Sequence, residues 1–125
     1  MSRSVEEELI RHYFGTFNRH DIDEIMAYFH DHAVVIDMEG VRHEGRAAVQ
    51  RYYEGLLAIA PDGRCQIRSI LSQAGTGMVE FLFTGTDRQT GQSIKAIGAE
   101  VIELADEKFT AIRVYYRPAD SRDEP

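Results

Sequence analysis

An α+β domain, with a curved sheet wrapped around helices, is the fold class this sequence predicts. Three observations carry that reading. Helical periodicity is confined to roughly the first 60 residues, one short apolar strand pattern interrupts it, and the rest of the chain consists of β-branched and aromatic runs separated by turn residues. The 125 residues suit one domain spanning 1–125, and a 43% hydrophobic fraction supplies a core.

Each element has a local reason. Ser4 is an N-cap with Glu7 as its capping-box partner, and Val5, Leu9, Tyr13 and Phe17 then recur at helical spacing, with Ile10 and Phe14 beside them. This predicts a helix over 5–18, broken at Asn18-Arg19-His20. Asp21 and Glu24 form a second cap signal, with Ile22, Ile25, Met26 and Phe29 giving a short second helix. Residues 33–38 read as a strand buried on both faces, in which Asp37 stands among Ala33 to Ile36 and Met38. Gly40 and Gly45 bracket a loop, and a third helix follows over 46–59, its inner face carrying Val49, Tyr52, Tyr53, Leu56 and Leu57. Pro61-Asp62-Gly63 ends it. Four strands over 65–73, 78–86, 93–104 and 109–117 then read as an antiparallel meander. The polar tail 118–125 is expected to be disordered.

Composition excludes several classes. The net charge of −7, with basic residues scattered, argues against a nucleic-acid partner. No apolar run approaches the roughly 20 residues of a membrane span, and the N-terminus lacks the apolar stretch of a signal peptide, so a cytoplasmic location is expected. The single cysteine, Cys65, leaves no internal disulfide and no CxxC metal site. His30 and His32 are two apart, a spacing that suits chelation on neither a strand nor a helix, and His12 and His43 stand alone, so no metal is expected.

The strand IKAIGAEVIEL, 94–104, is apolar on both faces through its middle. One face covers the helices; Ile97, Ala99 and Val101 on the other need a second cover, which predicts a homodimer packed through the outer sheet face.

Three polar groups sit in apolar settings: Tyr13 on the buried stripe of the first helix, Asp37 in the first strand, and Glu100 in the middle of an apolar strand. Burying an unpaired carboxyl is costly, and the usual response is a raised pKa. If the three converge on one cavity, one carboxylate can move a proton on carbon while a neutral acid and a phenol hold the oxyanion developing on a carbonyl.

The stretches RHYFGTFNRHDIDEIMAYFHDHAVVIDMEG (11–40), GRAAVQRYY (45–53), AIGAEVIEL (96–104) and IRVYY (112–116) together resemble the NTF2-like cone fold, and in detail its ketosteroid isomerase branch. The resemblance spans about residues 5 to 117. It implies that Tyr13 is the oxyanion-hole tyrosine, Asp37 the general base, Glu100 the second oxyanion donor kept protonated by an apolar site, and Tyr53 a tyrosine bonded to the first. The family carries aspartate where this chain has Glu100, and no proline follows Asp37. The run GTDRQTGQSIKAIG, 85–98, resembles SnoaL-like polyketide cyclases, although the aspartate-bearing end of their last strand is absent from IRVYYRP. Limonene-epoxide-hydrolase-like chemistry needs two acids flanking an arginine, and alternation aims Arg113 away from the pocket.

The resemblance thus implies a cofactor-independent enzyme that moves a proton next to the carbonyl of a hydrophobic, steroid-like or polyketide-like molecule. The expected catalytic residues are Tyr13, Asp37 and Glu100, and the expected substrate-binding residues are Phe17, Tyr53, Phe83 and Tyr116. Polyketide cyclisation and a non-catalytic ligand-binding or dimerisation module are the alternatives. Structural explanations stand beside each acid: Asp37 as a strand-end cap on the loop at Gly40, and Glu100 in a buried ion pair with Arg68 or Arg113.

Overall fold

Ser4 caps the first helix as its hydroxyl accepts the Glu7 N–H at 3.0 Å, and helix α1 runs Val5–Asn18. The computed structural model describes residues 4–123. Asp21 caps the short helix α2, Ile22–Met26, in the same way through the Glu24 N–H at 3.1 Å. Strand β1, Phe29–Ile36, and the three-residue strand β2, Arg42–Glu44, precede helix α3, Arg46–Ile59. Strands β3 (Arg64–Gln73), β4 (Thr76–Thr86), β5 (Ser93–Ala105) and β6 (Lys108–Pro118) complete the fold.

The six strands form one curved sheet in the order β2-β1-β6-β5-β4-β3. The last four pair antiparallel as consecutive hairpins, and β1 joins β6 in parallel, with Val35 beside Ile112. Two of the hairpin turns place non-glycine residues in the left-handed region, Ala74 at φ 52° and the pair Asp106 and Glu107 at 53° and 60°, which gives those turns the twist of the flanking strands. The three helices lie against one face of the sheet. Ile10, Tyr13, Phe14 and Phe17 of α1, Val49 and Tyr53 of α3, and Val79, Phe81, Ile102, Phe109 and Ile112 of the sheet form one buried cluster. The Asn18 side chain fastens the end of α1 to the start of β3 by donating to the Cys65 carbonyl at 2.9 Å and accepting the Cys65 N–H at 2.8 Å.

The α+β cone and the order of elements match the expectation, and three details correct it. Residues 29–32 open β1 instead of closing α2, because Phe29 pairs with Phe109 of β6. Residues 42–44, read as loop, form β2 beside β1. Strand β1 ends at Ile36, so Asp37 lies in the following turn; Val34 and Ile36 are half-buried and Met38 is 47% exposed, so the strand is not sealed on both faces. The tail also differs. Residues 121–123 form a 3-10 turn in which Asp123 receives Arg117 at 2.9 and 3.0 Å, with Arg68 nearby. These charges hold the chain against the sheet through residue 123; residues 124 and 125 lie outside the described residues. Among the described residues no helix is long and apolar enough to cross a membrane.

Candidate active site

Between the helices and the sheet lies a cavity of about 510 Å³. Its walls follow from the two periodicities. Helical spacing turns Tyr13, Phe14 and Phe17 of α1 and Tyr52, Tyr53 and Leu56 of α3 inward, and strand alternation turns Gly98 and Glu100 of β5 and Val114 and Tyr116 of β6 toward them. Gly98 is needed there: a Cβ at this position would sit 2.4 Å from the Phe81 ring, which lines the same wall. Every expected site residue, Tyr13, Asp37, Glu100, Phe17, Tyr53, Phe83 and Tyr116, borders this cavity.

Tyr13 and Tyr53 lie deep in it, 2% and 3% exposed, with their hydroxyls hydrogen-bonded to each other. Burial raises both phenols well above their ordinary value, and for Tyr13 the neighbouring Tyr53 and Glu100 add to the effect. Both therefore stay protonated at neutral pH and remain able to donate.

Glu100 is buried, and its Oε1 has no hydrogen-bond partner among the described residues. The ion pair with Arg68 or Arg113 does not form. Arg113 binds Glu103 on the outer face, and Arg68 faces Glu80 at 3.6 Å and Asp123 at 4.0 Å. Loss of hydration alone pushes the Glu100 carboxyl up from 4.5 to about 8, so it is largely neutral at pH 7. A neutral carboxyl is a donor.

Asp37 has the opposite environment. Desolvation raises its pKa, but the His43 imidazole and the backbone N–H groups of Val41 and Glu39 outweigh that, leaving the carboxyl below its ordinary value. Its Oδ1 accepts the N–H of Glu39 at 2.9 Å and of Val41 at 3.0 Å, and its Oδ2 faces His43 Nε2 at 2.9 Å. Asp37 is thus an ionised residue that also builds the turn between β1 and β2. The cavity therefore holds one neutral acid on its β5 wall and one ionised acid at its border.

Sequence reasoning missed His43 and Arg51, which also line the cavity beside Tyr52, already placed on the inner face of α3. A strand of three residues carries no readable period, so His43 looked like a loop residue. The usable signal was the turn ending at Gly40, which folds position 43 back to pair with position 35, diagonally beside position 37. The His43 ring lies 4.9 Å from that of Tyr52. Among the described residues no group of three or more His, Cys, Asp or Glu side chains is arranged to hold a metal ion.

A family comparison gives this architecture its class. The SnoaL-like domain family matches the chain over residues 10–112, and the protein belongs to that family. Among solved structures it is similar to the epoxide hydrolase/cyclase-like enzyme SalBIII of pyran ring formation in the polyether salinomycin, at 20% identity, 89% coverage of each chain and TM-score 0.81. A candidate SnoaL-like polyketide cyclase from Jannaschia sp. CCS1 aligns at 15% identity, over 93% of this chain and 90% of that one, with TM-score 0.84. A protein of ketosteroid-isomerase-like fold from Catenulispora acidiphila DSM 44928, in complex with trimethylamine, aligns at 14% identity, 87% and 85% coverage and TM-score 0.81. No curated protein matches the chain. At these identities the structural likeness establishes the NTF2-like fold.

Proposed function

We propose that this protein is a cofactor-independent enzyme that moves a proton next to the carbonyl of a hydrophobic small molecule, in the manner of a ketosteroid isomerase. The observation that carries this reading is Glu100, a buried carboxyl with an unpartnered oxygen, beside the cavity shared with the Tyr13–Tyr53 pair. Stability alone gives no reason to keep such a group, because an apolar side chain of similar size would avoid its desolvation cost. As donors to an enolate oxygen, Tyr13 and neutral Glu100 act on charge that develops in the transition state. The ionised Asp37 end of the cavity takes up the proton, Phe17, Phe83 and Tyr116 contact the apolar body of the substrate, and Tyr53 supports Tyr13. Cyclisation of a polyketide begins with the same proton removal and differs in the carbon that the enolate then attacks.

The test is a spectroscopic titration with a naphthol-ring steroid, a phenolic mimic of a dienolate. Wild type and Asp37→Asn are both expected to bind it with the spectrum of an ionised or strongly hydrogen-bonded phenol, at least as tightly when the carboxylate is lost. Absence of binding in both would end the oxyanion-hole reading and favour a non-catalytic ligand-binding module.

The same chain is proposed to work as a homodimer through the outer sheet face. There Leu71 is 75%, Met78 55% and Tyr115 56% exposed, and register places Leu71, Met78 and Val101 in one row beside the Glu103–Arg113 pair. Light scattering after gel filtration is expected to give a dimer for the wild type and a monomer for Met78→Lys. A monomeric wild type at tens of micromolar would remove this proposal.

A further inference from the structure

Asp37 is poorly equipped to receive a proton from carbon. Both of its oxygens are already engaged, by two backbone N–H groups and by His43, and those contacts favour the ionised form. The imidazole behind this carboxylate is better suited. An ionised carboxylate only accepts, so the nitrogen facing it, His43 Nε2, carries the hydrogen. In the neutral ring that leaves Nδ1 as the bare, basic nitrogen, and no hydrogen bond engages it among the described residues. The ring borders the cavity, with its side chain 22% exposed, and it rests against Tyr52.

We propose that the proton acceptor of this site is His43 Nδ1, and that Asp37 is the positioning residue that fixes the ring and its tautomer. This deepens the proton-transfer reading above and rests on it. In the step, the C–H bond next to the carbonyl breaks and an N–H bond forms at Nδ1. The electron pair left on carbon forms the enolate double bond, while the carbonyl π pair moves to the oxygen facing Tyr13 and Glu100. Return of the proton from Nδ1 to a carbon of the conjugated system restores the carbonyl, so no oxidant or reductant is required. The imidazolium formed in between lies beside ionised Asp37, which stabilises it. Of the other charged or titratable groups, Tyr52 of α3 packs against the ring, and Glu39 of the turn, Arg51 of α3 and Glu100 on the β5 wall line the same cavity. Arg42 and Glu44 flank it on β2 and pair with each other at 3.1 Å.

Two measurements on the full chain test this. Nitrogen NMR of histidine-labelled protein, with His43 assigned through His43→Gln, reads its tautomer and titration. Deuterium incorporation into 2-tetralone in D₂O reads proton transfer over a pH series. The expected results are an Nε2–H tautomer and an exchange rate that follows the fraction of neutral His43. His43→Gln should lose about 10²-fold or more in exchange while keeping the naphthol-ring steroid bound. An Nδ1–H tautomer would overturn the assignment. So would exchange that survives in His43→Gln with its acid limb in the carboxylate range; Asp37 would then take the proton itself and the proton-transfer reading would stand. A wild type that exchanges no ketone and binds no phenol would remove both.

Discussion

Between pH 4.5 and about 8 the wild-type protein is expected to lose stability as the pH rises, and Glu100→Gln is expected to remove that part of the loss. The sign follows from proton linkage. The Glu100 carboxyl titrates near 4.5 in the unfolded chain and near 8 in the fold, so across this window the folded state holds a proton that the unfolded state has released. Its contribution is fully present below 4.5, declines through the window, and is gone above about 8. The full gap corresponds to roughly 5 kcal/mol as an upper bound, lowered in practice by water entering beside the ionised group. Asp37 works in the opposite sense, because its folded carboxyl is held below the ordinary value; its contribution is present above 3.8 and lost as the pH falls through the lowered value. Urea unfolding of wild type and Glu100→Gln over a pH series measures both slopes. Equal slopes for the two proteins between pH 5 and 8 would mean that Glu100 is ionised and hydrated in the fold, and the neutral-donor role would fall with it.

Tyr13→Phe is expected to slow proton exchange on 2-tetralone by about 10²–10³-fold, the usual effect of removing one donor to an oxyanion. The loss should fall on kcat, because the hydrogen bond strengthens as charge moves onto oxygen. Stability should also fall by about 1–3 kcal/mol, since the Tyr53 hydroxyl, only 3% exposed, is left without the partner it has in the wild type. Tyr53→Phe should have a smaller kinetic effect, because Tyr13 keeps its proton for the ligand. The double variant should lose less than the sum of the two single losses, because the hydroxyls act as a pair. Steady-state exchange kinetics and thermal unfolding of the three variants separate these outcomes. Equal kinetic losses for the two single variants would show that both hydroxyls reach the ligand. No kinetic loss in Tyr13→Phe would make the pair a structural feature of the core.

The contrast between the two acids explains why the site is demanding to build. A carboxyl is kept neutral on β5 by burial, its Oε1 without a partner among the described residues, while another is kept charged in a turn by three donors. One small cavity thus offers a proton donor and an anion at the same pH.

Much of this was determined by the sequence by itself. The periods of 3.6 and 2 set α1 and α3 at their observed bounds and laid out the four-strand meander, because those patterns extend over ten or more residues. Tyr13, Tyr53 and Glu100 stood out for a local reason, a polar group on an otherwise apolar face, and that signal survives without coordinates. Other features belonged to the tertiary structure. Strand β2 is too short to carry a period, and the end of β1 depends on its pairing with β6, so the β1–β2 pairing was not legible, although Asp37 as a cap on the loop at Gly40 was. The Asp37–His43 contact exists only because that turn folds back on itself. Whether Glu100 met an arginine depended on strand register, which sets Arg113 opposite Val101 and leaves it beside Glu103 on the outer face. Local pattern determines which face of an element is apolar; the ionisation of a buried group depends on partners brought from distant segments, and only the folded chain decides those.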